Sequence, residues 1–294
     1  MLLAALLQAA ALVVLLLAAP RLAGAPWCRR APACALLLWQ ALGLAGGLLV
    51  LEVAATLALA PAGPDHLTAL RALPRPLPWW AVVAGSTGTA VLGRLLWVLL
   101  RSSVRTVRVR RRHRLLVDLV ATRNPLLRET SVVDSAHRVA YCLPGLRPRV
   151  VVSRGVVTAL EEDELRAVVD HELAHVVQRH DLVVLPFVAL RATFPRLPAV
   201  RAAVDEVALL VEMLADDRAA RRHGRGVLAR ALAKVGAAPA PAGGLGATAS
   251  PVLVRTDRLV HPPPPLSAAG RLLVLGSAVG VLLLPALGVL VPLV

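Results

Sequence analysis

A chain of 294 residues that is 57 % hydrophobic, with a mean hydropathy of +0.69, is too apolar for an ordinary soluble protein and points to membrane spans. Its net charge of +15 is carried almost wholly by arginine, Lys234 being the sole lysine, while aromatic residues are only 3 %; a binder of nucleic acid built on stacked bases is therefore disfavoured. Cys28, Cys34 and Cys142 are an odd number without C-x-x-C spacing, which excludes a disulfide framework and a cysteine-based zinc site.

Residues 2–19 are apolar apart from Gln8. No basic segment precedes them and further apolar runs follow, so a membrane anchor is favoured over a signal peptide. Residues 33–60 predict a second span and 79–100 a third, which opens on the interfacial pair Trp79-Trp80; residues 271–294 predict a fourth. Glu52 lies within the second span, either as a hydrogen-bonded tie between helices or as a sensing group. Seven arginines (Arg101, Arg105, Arg108, Arg110, Arg111, Arg112 and Arg114) follow the third span directly. The positive-inside rule makes that end cytoplasmic, so both chain termini are expected outside the cell membrane. Beside a span, such a run reads as an anchor to the lipid surface, with no direct nucleic-acid partner.

From residue 132 the pattern changes. Residues 137–142 read as a strand, Pro144-Gly145 as a turn and 149–153 as the returning strand. The exposed edge of such a hairpin, at Ala140 and Tyr141, can pair with an extended peptide by strand addition; the alternative is a purely structural hairpin.

Residues 164–177 carry apolar side chains at helical spacing and contain His171-Glu172-Leu173-Ala174-His175. Two histidines four apart stack on one helical face, where both imidazoles reach one Zn²⁺. Glu172 beside them can deprotonate a water, which is the H-E-x-x-H arrangement of zinc proteases. His180, nine residues past His171 and at the polar end of the helix, is not expected to be a ligand. The apolar run 182–190 contains Pro186, ends before Arg191 and is too short to span, so it should pack as a core helix or dip into the interface. A third ligand should come from the helical stretch 207–222 or its flank, with Glu206, Glu212, Asp216 and Asp217 as candidates. Glu212 and Asp216, four apart, suit a ligand carboxylate and an aspartate that orients a ligand histidine; Glu206 is the reserve ligand. His223 is a weaker candidate for stabilising an oxyanion. Residues 236–270 read as a Pro/Gly/Ala-rich linker.

These residues together resemble the membrane-bound gluzincins. Ala140-Tyr141-x-x-Pro144-Gly145, then 150–157, then His171-Glu172-x-x-His175, then Glu212-x-x-Ala215-Asp216 follow the order found in the CAAX prenyl proteases and the heat-shock membrane proteases. Three spans before the motif and one after it look more like the peptidase module of the beta-lactam sensor-transducers (BlaR/MecR-type). The chain ends at Val294 without an extracellular sensor domain, so the resemblance implies a protease rather than a receptor. It also implies one zinc ion per chain on His171, His175 and Glu212, with Glu172 as catalytic base and Asp216 behind a ligand histidine. Asp170 stands where a small apolar residue is commoner.

The expected fold is mainly α: a three-span membrane module (1–100), a cytoplasmic α+β zincin-like metalloprotease domain with a small antiparallel hairpin (101–235), the linker (236–270) and a fourth span (271–294). The expected function is zinc-dependent cleavage of a protein or peptide substrate at the inner face of the bilayer, with a cytosolic transcriptional repressor as one substrate. General membrane-protein turnover, or a non-catalytic zinc-binding signalling role, are the alternatives.

Overall fold

The computed structural model describes all residues except 73–75, 121, 124–129, 144–148, 237–250 and 291–294. The Pro144-Gly145 turn and residues 237–250 of the expected linker thus lie outside the described residues. The chain is mostly helical and forms two compact units, one of residues 1–102, 184–207 and 266–294, the other of 103–183 and 208–265.

The first unit contains α1 (Leu2–Leu22), α2 (Pro26–Arg30), α3 (Pro32–Leu59), α4 (His66–Arg71), the start of α5 (Trp79–Val120) and α12 (Ala268–Leu290). Stretches of α1, α3, α5 and α12 are each long and apolar enough to cross a membrane, which makes them four candidate spans. Helix α3 is the centre: its buried Ala35, Ala41 and Ala45 let neighbours approach, while Trp39 and Leu49 fill the remaining space. Helix α5 lies so close to it that a Cβ on Gly88 would stand 2.8 Å from that of Ala54. Asp65 caps α4 by accepting from the Leu67 and Thr68 amides at 2.9 Å each.

Helix α8 (His180–Thr193) contains Pro186. Its Phe187, fully buried, packs against Gly43 of α3, so the apolar run 182–190 is a core helix of this unit from residue 184 onward.

The second unit holds a four-stranded sheet in the order β1-β2-β4-β3, made of β1 (Thr122–Arg123), β2 (Thr130–Val133), β3 (Ala140–Leu143) and β4 (Arg149–Ser153). β2 runs parallel to the central β4, and β3 antiparallel to it in the register Tyr141↔Val151. Val150, Val151 and Val152 are all buried, because both faces of β4 are covered and a continuous β-branched run suits that position. On one face Val150 and Val152 meet Val156 of α6 (Arg154–Ala159) and Leu165, Val168 and Val169 of α7 (Glu162–Val177). On the other, Val151 packs with Val117 and Leu143, and Tyr141 lies against this cluster. Gly155, at the start of α6, is obligatory: a Cβ there would overlap the Ala136 carbonyl.

Helices α9 (Pro198–His223), α10 (Arg225–Gly236) and α11 (Pro251–Val260) follow α8 in the chain. Residues 251–260 were expected to be linker and are instead a helix, with Leu259 in the cluster of Ala167, Ala219 and Leu228. Its ten residues stand between Pro-rich stretches, and its buried side includes two arginines, Arg255 and Arg258.

Candidate metal centre

Helix α7 is built to start firmly. Glu162, Asp163 and Glu164 occupy its first turn, where negative charge complements the helix dipole. Glu164 accepts from the Glu161 amide at 3.0 Å and also meets Lys234 at 2.6 Å and Arg230 at 3.4 Å, tying α7 to α10. With the helix so fixed, His171 and His175 project together from one face, their ring centroids 5.0 Å apart.

Glu212 of α9 completes the group. His171 Nε2 lies 3.3 Å from His175 Nε2 and 3.4 Å from Glu212 Oε2, while His175 Nε2 lies 3.5 Å from Glu212 Oε1. Ligands about 2.0–2.1 Å from a tetrahedral zinc ion stand roughly 3.3–3.4 Å from one another, so these three donors fit the ion. Their chemistry fits too, since two imidazoles and a carboxylate are ordinary zinc ligands. His171 is buried, whereas the side chains of His175 and Glu212 are 24 % and 35 % exposed, leaving the open approach on that side.

Both histidines are held from behind. His171 Nδ1 lies 3.0 Å from Asp216 Oδ1, and His175 Nδ1 lies 2.9 Å from Nδ1 of His180. Asp216 is in turn gripped by Arg255 of α11, whose Nε and one terminal nitrogen each lie 2.7 Å from its two oxygens; the other terminal nitrogen reaches Glu212 at 2.7 Å. Glu212 and Asp216 outnumber the Arg255 cation, so the centre suits a bound cation. Sequence reasoning missed Arg255, because it lies in the stretch read as linker.

The electrostatics follow from this crowding. Burial opposes a charged His171, but contacts with Asp216 and Glu212 outweigh it and push the imidazole up to about 9; the position favours a cation, proton or metal. Burial also opposes ionisation of Glu212, yet His171 and Arg255 hold its carboxyl below the usual range. Burial pushes Glu172 up to about 7, with Glu212 adding to it, and pushes His180 down to about 4.

Glu172 lies beside β3, where the nearby Cys142 main chain favours its charged form. Ser153 N donates to Val139 O at 2.9 Å, and in an antiparallel ladder such bonded pairs alternate. In this register Tyr141 bonds toward β4, and the main-chain groups of Ala140 and Cys142 turn to the outer edge.

The remaining sequence candidates lie elsewhere. Glu206 accepts from the Gly24 amide at 2.8 Å and is not part of the group. Asp217 forms two bonds to Arg258, at 2.8 and 2.9 Å. His223 pairs with Asp170 at 2.8 Å; that contact engages both the unusual aspartate and the residue considered for the oxyanion.

Residues 105–236 match the model of peptidase family M48, a stretch that contains all four residues of the group and its base but not Arg255. That stretch is similar to the M48 peptidases, which are zinc-dependent, and the similarity supports a metallopeptidase reading. No curated protein and no solved structure matches the chain.

Proposed function

We propose that the protein is an integral-membrane zinc endopeptidase that cleaves a protein substrate at the cytoplasmic face of the bilayer. The observation that carries this reading is the triangle of His171, His175 and Glu212 donors with Glu172 beside it. The arginine run after the third span supports the cytoplasmic orientation.

Zinc bound by His171, His175 and Glu212 would polarise the scissile carbonyl and make water a nucleophile near neutral pH. Glu172 takes the proton of the attacking water and passes it to the leaving amine. The Cys142 main chain beside it favours the charged form of Glu172. An extended substrate pairs with the outer edge of β3 through Ala140 and Cys142, which lays its main chain beside the base. Tyr141 backs that edge from the opposite face of the sheet. Arg255 keeps Asp216 and Glu212 in place.

In the test, Glu172→Gln keeps its zinc and loses cleavage, by at least about 10²-fold in kcat as expected for a general base. Undiminished cleavage overturns the mechanism. Comparing proteins that accumulate in cells carrying Glu172→Gln separates the two substrate classes. A single stabilised cytosolic repressor marks regulatory cleavage; many stabilised membrane proteins mark turnover.

A further inference from the structure

The break between α7 and α8 brings a third histidine to the metal centre. Arg179 adopts φ +50°, a left-handed conformation rare for a residue with a side chain. Its amide bonds to Val176 O at 3.1 Å and closes α7, and α8 leaves at 65°. His180 therefore does not continue round α7, as an unbroken helix would require. It swings back under His175, with ring centroids 4.9 Å apart and planes at 83°. It is only 4 % exposed.

We propose that His180 is a positioning residue whose Nδ1 accepts a hydrogen bond from His175 Nδ1–H and so fixes the tautomer that presents Nε2 to the metal. The 2.9 Å Nδ1···Nδ1 contact requires one ring to donate and the other to accept. Nε2 of His175 faces His171 and Glu212. When it holds a metal as a neutral imidazole, the proton must sit on Nδ1, which leaves His180 as the acceptor with its own proton on Nε2. Asp216 stands 3.0 Å from His171 Nδ1, so a carboxylate and an imidazole lie behind the two ligand histidines. The inference rests on the zinc-site reading above.

The test is zinc affinity, measured by competition with a chromophoric chelator on purified full-length protein. His180→Phe fills the space without an acceptor, and zinc binding should weaken roughly 10–100-fold, the usual loss when a ligand's hydrogen-bond partner is removed. His180→Asn places an oxygen where Nδ1 stood and should restore binding to near the wild-type value. A His180→Phe affinity within about twofold of wild type, or an Asn variant as weak as the Phe one, overturns the proposal. Spectra of ¹⁵N-histidine-labelled wild type loaded with zinc give a readout free of any folding defect. They should show His180 protonated on Nε2; protonation on Nδ1 contradicts the assignment. Wild type that binds no zinc at all would instead sink the metal-centre reading itself.

Discussion

Arg255 shows how much of this site depends on one side chain far along the chain. It and Asp216 are both buried and bonded through two contacts of 2.7 Å, so removing the cation strands a buried carboxylate. Arg255→Met should cost about 3–5 kcal/mol of stability by that argument, read as a lowered melting temperature in detergent. Arg255→Lys keeps a charge but not the planar fork, and should recover only part of the loss. Equal stability of all three proteins would show that the pair is not what holds α11 to α9. The histidines and Glu172 were legible in the sequence because helical spacing dictates their geometry. Glu212 and Asp216 were legible as a pair for the same reason, and the structure brings Glu212, not Glu206, to the histidines. Arg255 and His180 were not: one reaches the site by a tertiary contact across 39 residues, the other by a backbone reversal at Arg179.

At the scale of elements, α7 is defined by its two ends. Its first turn is held by Glu164 between Lys234 and Arg230. Burial opposes the Glu164 charge, but these partners prevail and hold its carboxyl below the usual range. A carboxyl whose folded pKa is depressed stabilises the fold above its unfolded pKa, and that contribution fades as pH falls through the folded value. Glu164→Gln should therefore lower the melting temperature at pH 7 and cease to matter in strong acid; a constant difference across that range would refute the ion-pair account. The other end turns on Arg179. Arg179→Val puts a β-branched residue in the left-handed region and should destabilise by about 1–2 kcal/mol, while loosening zinc through His180. The hairpin of β3 and β4 was readable from its alternating residues, but the parallel β2 and the tiny β1 were not, since pairing between segments distant in sequence leaves no local period. Helix α11 escaped notice because its buried face is largely arginine, at Arg255 and Arg258.

Over the whole molecule, the four candidate spans were legible from hydropathy, although the helix of the third continues well past residue 100, to Val120. What hydropathy did not foretell is that α8 packs against α3 through Phe187 and Gly43. The charge pattern predicts that cysteines introduced at Arg105 or Arg112, in a cysteine-free background, react with impermeant reagents only from the cytoplasmic side, and one placed at Asp65 only from outside. The opposite labelling would invert the proposed orientation and place the peptidase outside. The account as a whole rests on one zinc ion held by two imidazoles and one carboxylate. Zinc X-ray absorption of the purified protein tests this directly. It should show two nitrogen ligands at about 2.0–2.1 Å with oxygen completing the shell, and His175→Ala should abolish that signature. Sulfur at about 2.3 Å, or no bound zinc, would contradict it.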